Sequence, residues 1–164
     1  MIRLLTPDDA EELAALYAAN REFLAPFEPS REDSFFTAEA QRARIARPED
    51  ASWWRWAILD GDAIAGMIAV NDVIRGALQM GNVGYWVDAA RNGRGLASGA
   101  LADVVELAFG QLGLHRLEAG TLPDNVPSQR VLEKNAFERF GYAKDLLLVA
   151  GQWRDHVLYE RVKS

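Results

Sequence analysis

Arg91-Asn92-Gly93-Arg94-Gly95-Leu96-Ala97-Ser98 separates an apolar run that ends at Val87 from a helical apolar pattern that begins at Leu96. Strand, glycine-rich turn and helix in that order place successive backbone amides and a helix N-terminus around one point, which suits an anion. Gly93 and Gly95 let the backbone approach a ligand with no Cβ in between, and Arg91 and Arg94 add positive charge beside the loop. The same residues also fit an ordinary solvated turn, and it is the flanking strand and helix that favour the anion. A Gly-Lys-Ser/Thr ending is missing, and Ser98 stands where a Gly-x-Gly-x-x-Gly fingerprint needs its third glycine, so neither a Walker loop nor a Rossmann site is expected.

Upstream of this turn, Trp53 to Leu59, the Asp60-Gly61 turn, Ala63 to Ile74 and Met80 to Val87 read as three antiparallel strands, the second long enough for a bulge. Before them come a strand from Ile2 to Leu5, a helix capped by Thr6 with Pro7 in its first turn, a loop from Leu24 to Phe36, and a helix from Thr37 that stops by Arg47, ahead of Pro48. Downstream, the spacing predicts a helix from about Leu96 to Phe109, a strand Arg116 to Thr121 and a helix from about Val126 to Lys134. Two strands follow, Phe140 to Val149 and Trp153 to Val162, joined at Ala150-Gly151-Gln152. The fold class is α/β (α+β): a mixed, mostly antiparallel sheet of about seven strands flanked by helices, with one parallel crossover in its middle.

The 164 residues allow one domain, 1–164, at the usual size of about 150 residues. Hydrophobic residues make up 49% of the chain, with five Trp and seven Phe, enough to build a core. A net charge of −6 argues against general affinity for DNA, RNA or anionic lipid, and suits a small-molecule or basic-peptide partner. Cysteine is absent, which removes thiolate catalysis and Cys-ligated metal, and the two histidines lack metal-site spacing, so no metal is expected. With no signal-like start and no apolar stretch of membrane-spanning length, the expected location is the cytoplasm.

Asn92-Gly93-Arg94-Gly95-Leu96-Ala97 resembles the Gln/Arg-x-x-Gly-x-Gly/Ala signature of the GNAT superfamily of acetyl-CoA-dependent N-acetyltransferases, with Asn92 in place of the usual Gln or Arg. The run Asn125-Val126-Pro127-Ser128 through Val131-Leu132-Glu133-Lys134-Asn135-Ala136-Phe137 is similar to a block of the RimJ/RimL branch, the ribosomal-protein alanine acetyltransferases. It departs at Ala136, where that branch has a helix-ending Gly, and Asn135 is expected to take the left-handed conformation instead. Asn20-Arg21-Glu22-Phe23-Leu24-Ala25-Pro26-Phe27-Glu28-Pro29 and the final hairpin Gly151 to Leu158 resemble the same branch, so the likeness spans nearly the whole chain. It implies a GNAT acyl-CoA N-acyltransferase fold, acetyl-CoA as cosubstrate, and transfer to the N-terminal α-amine (Ala or Ser) of a ribosomal protein. The branch contains monomers and homodimers.

By the same resemblance, Asn92, Gly93, Arg94, Gly95, Leu96, Ala97 and Ser98 hold the pyrophosphate, Asn125 binds the pantetheine arm, and Ser128 is the acid or hydrogen-bond donor to the sulfur. The tyrosine acid of many GNAT enzymes falls at Leu132 and cannot be carried over. Asn125 and Ser128 can equally serve the helix start as a cap and its partner. Glu118 is expected either as a base acting directly or through water, or as a strand carboxylate paired with Arg116 or Arg130. A backbone amide within Tyr85-Trp86-Val87 is the expected oxyanion donor, by fold analogy. Phe27 and Glu28 are expected to wall the pocket and attract a cationic acceptor, or merely to anchor a loop, while Trp153 and His156 read as packing residues. A GNAT enzyme for small amines and a non-catalytic CoA-binding module remain alternative readings.

Overall fold

The computed structural model describes residues 1–164. Seven strands form one sheet in the order β1-β2-β3-β4-β5-β7-β6, with β1 Ile2–Leu4, β2 Trp54–Asp60, β3 Ala63–Ile74, β4 Met80–Val87, β5 Arg116–Thr121, β6 Glu138–Val149 and β7 Gln152–Val162. The helices are α1 Ala10–Ala19, α2 Arg21–Leu24, α3 Ala38–Ile45, α4 Leu96–Phe109 and α5 Val126–Lys134. Every neighbouring pair is antiparallel except β4 and β5, which α4 connects as the single parallel crossover.

The sheet has two covered faces. Ala100, Leu101, Val104, Val105 and Ala108 repeat at helical spacing along α4 and pack on Ile68, Val70, Val83 and Leu117. On the other face, Leu13 and Tyr17 of α1 and Ile45 of α3 pack on Ala57, Met67 and Trp86. Burial of a side chain such as Leu101, fully shielded from solvent, contributes about 2 kcal/mol.

Local chemistry explains most element ends. Thr37 accepts a hydrogen bond from the Ala40 amide at the start of α3. The β6–β7 turn places Ala150 at φ 49° and Gly151 at φ 78°, the positive pair that a two-residue hairpin needs. The bulge expected in β3 lies between Asn71 and Ile74, with Asp72 at φ 49°.

Several expectations need correction. The first helical turn, Pro7–Asp9, is 3-10, and its cap is completed by Asp9, whose carboxylate accepts from the Thr6 amide at 2.8 Å. The Leu24–Phe36 loop ends in a 3-10 turn over Asp33–Phe36, and β6 begins at Glu138, two residues before the expected Phe140. Ala136 itself takes the left-handed conformation (φ 56°), not Asn135. Asn135 stays at φ −99° because its amide docks α5 on α4, donating to the Ser98 carbonyl and Oγ and to the Val131 carbonyl.

One feature of the sheet positions the site. β4 and β5 pair only at Met80–Arg116, Gly81–Leu117 and Asn82–Glu118. Beyond that vertex β4 follows β3 as far as Val87, while β5 follows β7 as far as Thr121. The sheet therefore opens into a wedge between Val83–Val87 and Ala119–Thr121.

Candidate active site

At the mouth of α4, Gly93 and Gly95 adopt φ 77° and φ 80°, and Gly95 is the N-cap. The amides of residues 93 to 98 make no backbone hydrogen bond, and the side on which a Cβ of either glycine would lie is open space. Six unpaired donors on a concave turn at the positive end of a 14-residue helix form an anion cradle. The arginines beside it are engaged elsewhere: Arg94 makes a two-point contact with Asp60 at 2.6 and 3.1 Å, and Arg91 lies between Asp60 and Asp88. The expected positive charge of the loop is thus largely spent on carboxylates, which leaves the backbone amides as the groups free to meet an anion. The Asn92 side chain makes no hydrogen bond within the chain, Leu96 and Ala97 lean on the core, and Ser98 is fixed by Asn135.

From this cradle the wedge leads to a cavity of ≈ 300 Å³ that passes through the sheet. On the α4–α5 side it is bordered by Tyr85, Asn125, Ser128 and Leu132. Asn125 caps α5 by accepting from the Ser128 amide at 3.3 Å, and this presents the Ser128 hydroxyl to the wedge. The Tyr85 hydroxyl lies 3.0 Å from Ser128 Oγ and 3.2 Å from the Ser128 carbonyl. Burial pushes the Tyr85 phenol up to about 12, so it stays protonated and acts as a donor through neutral pH. Sequence reasoning used only the Tyr85 backbone, because nothing local shows that its side chain meets α5.

The direction of the β4 amides follows from the ladder. Asp88 donates to the Ala65 carbonyl, and hydrogen-bonded pairs alternate along antiparallel strands, so Trp86 and Gly84 also face β3. Val83, Tyr85 and Val87 then turn their amides into the wedge, where β5 has moved away. Of the three expected oxyanion donors, Trp86 is therefore excluded on geometry. Its indole instead donates to Tyr17 Oη at 2.9 Å in the α1 face of the core.

On the opposite face the cavity is lined by Phe27, Glu28, Arg31, Arg44, Arg55 and His156, among others. Phe27 is exposed and rests against Phe23, with ring centroids 6.2 Å apart. Glu28 is half-buried; desolvation raises its carboxyl above the usual range, against the opposing pull of Arg31 and Arg44. The Glu28 carbonyl also accepts from the Ala150 amide at 3.2 Å, which ties the β6–β7 turn to this loop. His156 is only 4% exposed, and its Nδ1 lies 3.1 Å from the Arg154 carbonyl. A carbonyl can only accept, so the proton of the neutral ring sits on Nδ1 and Nε2 keeps a free lone pair.

Glu118 does not line this cavity. Arg116 Nε binds its carboxylate at 2.6 Å and also pairs with Glu160 on β7, the residue directly across from Glu118. The strand-pair reading of Glu118 is the one the geometry supports, and the base reading is corrected: two facing carboxylates need the shared guanidinium between them. His156, read from the sequence as a packing residue, is buried as expected, and the β5–β7 register also places it in the cavity lining.

The wedge in a mixed sheet, an anion cradle at one side and a hydroxyl pair at its centre define an acyl-CoA-dependent acyltransferase class. Residues 1–138 match the family model described as Acetyltransferase (GNAT) domain, and the chain belongs to that family. It is 40% identical over 161 residues to the probable N-acetyltransferase YjcK of Bacillus subtilis (strain 168), covering 94% of this chain and 89% of that protein. It is 35% identical over 164 residues to the [ribosomal protein uS5]-alanine N-acetyltransferase of Escherichia coli (strain K12), covering 96% and 84%. Among solved structures, Mycobacterium smegmatis RimJ in complex with CoA-disulfide superposes with a TM-score of 0.91 at 29% identity, covering 98% of this chain and 80% of that one. GNAT acetyltransferases use acetyl-CoA, and the free amides and open glycine faces of residues 93–98 fit its pyrophosphate.

Proposed function

We propose that this enzyme transfers the acetyl group of acetyl-CoA to the N-terminal α-amine, Ala or Ser, of a protein, and that the protein is a ribosomal one. The likeness to the uS5-alanine enzyme over 96% of the chain supports that acceptor. The observation that carries the reading is a cavity running through the sheet, with the hydroxyl pair at one end and an open acceptor side at the other.

Acetyl-CoA supplies an activated thioester carbonyl. The amides of residues 93–98 hold its pyrophosphate, and the Val83, Tyr85 and Val87 amides in the wedge orient the arm; that of Tyr85 or Val87 donates to the carbonyl oxygen as negative charge develops on it. The acceptor enters from the α1–α3 face. An α-amine has a pKa near 8, so part of it is already neutral at working pH, and a weak base suffices. His156 Nε2 carries a free lone pair in the cavity lining and takes the amine proton. Ser128 donates to the departing sulfur while accepting from Tyr85, so that the serine hydroxyl keeps one proton donor behind it. With cysteine absent from the chain, the acetyl group passes directly from thioester to amine.

An acceptor panel tests the reading: thiol release from acetyl-CoA with peptides beginning Ala-x or Ser-x, and with free amino acids, polyamines and aminoglycosides. Faster turnover of the peptides is expected. Release with small amines alone would replace the protein acceptor, and tight CoA binding without any release would make the chain a binding module.

A further inference from the structure

Arg31, Arg44 and Arg55 come from the loop after α2, from α3 and from β2, yet all three line the cavity that holds Ser128 and His156. None has a carboxylate within ion-pair distance, whereas Arg3, Arg21, Arg91, Arg94, Arg116 and Arg154 all do. Their side chains are held by aromatic rings instead. The Arg31 and Arg44 guanidinium groups each lie 4.5 Å from the Phe35 centroid, and that of Arg55 lies 4.1 Å from Trp53.

Few of their donors are satisfied. Each guanidinium has five N–H bonds, yet Arg44 makes one hydrogen bond, to Gln41 Oε1 at 3.1 Å, and Arg55 makes one, to the Arg44 carbonyl. Arg31 makes none. Glu28 is the only carboxylate in the lining, so three fixed cations face one anion in a chain whose net charge is −6. Placing unpaired cations in a partly desolvated cavity is costly, and an anionic ligand recovers that cost. Burial and the neighbouring Arg44 both disfavour the charged form of Arg55, as expected for guanidinium groups crowded without a counter-ion.

We propose that Arg31, Arg44 and Arg55 form an anion subsite in the cavity of the reacting centre, which selects acceptors carrying a carboxylate near the amine. The proposal rests on the acetyl-transfer reading and reverses the expectation, drawn from net charge, that a basic segment enters the pocket. The anionic group is an acidic side chain following the N-terminal residue; the α-carboxylate of a free amino acid offers the same chemistry and is a separate arm of the test.

The experiment compares kcat/KM for pentapeptides that begin Ala-Glu, Ala-Ala and Ala-Lys with identical remainders, and for free alanine, all at saturating acetyl-CoA. The Ala-Glu peptide is expected to exceed the Ala-Lys peptide at least about tenfold, mainly through KM, with the ratio shrinking at high salt. Arg31→Gln, at an exposed position, and Arg44→Gln should each move that ratio toward one, with melting curves verifying that both variants fold. A wild-type ratio at or below one, or a ratio unchanged in both variants, overturns the subsite while leaving peptide acetylation intact. Turnover of free alanine alone, lost in the same variants, supports the subsite and overturns the protein acceptor.

Discussion

Replacing Gly95 by alanine separates the cost of a strained turn from the loss of a ligand site. Gly95 sits at φ 80°, and a Cβ there meets no protein atom within 4 Å, so the fold resists the substitution only through backbone strain. A left-handed L-residue costs about 1–2 kcal/mol, and the stiffer unfolded chain returns about 0.4–1 kcal/mol, a net loss of about 1 kcal/mol. For a chain of this size that lowers Tm by about 2–4 °C. Gly76, in the β3–β4 turn at φ 70° and equally open, is the matched control, because it lies outside the turn that opens α4. Both variants should melt alike by circular dichroism. Only Gly95→Ala puts a methyl group where the pyrophosphate must approach the free amides, so its KM for acetyl-CoA should rise about tenfold or more, about 1.4 kcal/mol of binding. Thiol release over a range of acetyl-CoA concentrations reads this directly. Equal melting shifts with an unchanged KM in both variants would mean that residues 91–98 are an ordinary solvated turn and that the cofactor lies elsewhere.

Ser128→Ala should lower kcat about tenfold or more, and Tyr85→Phe less; because Tyr85 acts through Ser128, the double variant should match Ser128→Ala, and additive losses would break the relay. His156→Gln should lower kcat/KM about tenfold at neutral pH, and the deficit should shrink above about pH 8 as the acceptor loses its own proton; a deficit constant with pH would make His156 a packing residue. Ala136→Gly should raise Tm by about 2 °C, since glycine relieves the left-handed strain at φ 56° but is itself more costly to order. Asp9→Ala should cost about 1 kcal/mol at pH 7, through loss of the Arg3 contacts at 2.7 and 2.8 Å and the Thr6 cap, discounted because Arg3 is half-exposed. The Arg3 hydrogen bonds hold the folded Asp9 carboxyl below its ordinary value of 3.8, so its contribution is full above that pH and drains as pH falls through 3.8 toward the folded value. The melting gap between Asp9→Ala and the unsubstituted protein should close over that acid window and stay constant above it.

Local chemistry made the fold legible. Asp60-Gly61, Ala150-Gly151 and Pro48 fix where strands turn and where α3 must stop, and α4 repeats its apolar residues at helical spacing. What was not legible depends on register. The wedge exists because β4 and β5 pair at only three positions, and no single segment encodes how far two strands run together. Glu118 shares Arg116 with Glu160, some forty positions downstream, only because the β5–β7 register sets the two carboxylates face to face, and the Tyr85 phenol meets Ser128 only after α5 docks.

The same wedge explains why the family could be read from the sequence and the acceptor could not. On the proposed cofactor side the groups on offer are backbone amides at residues 93–98 and along β4, so the glycine pattern is enough to announce them, and Asn92 can depart from the family signature without touching a donor. On the acceptor side the groups are side chains, brought together from the loop after α2, from α3, β2 and β7. Arg31, Arg44 and Arg55 are far apart in sequence, and an overall charge of −6 hides them entirely. In the proposed reading, backbone recognition of the cofactor and side-chain recognition of the acceptor let the acceptor change while the cofactor site stays fixed. It follows that substitutions at Arg31, Arg44 and Arg55 should alter which amine is acetylated without altering the affinity for acetyl-CoA.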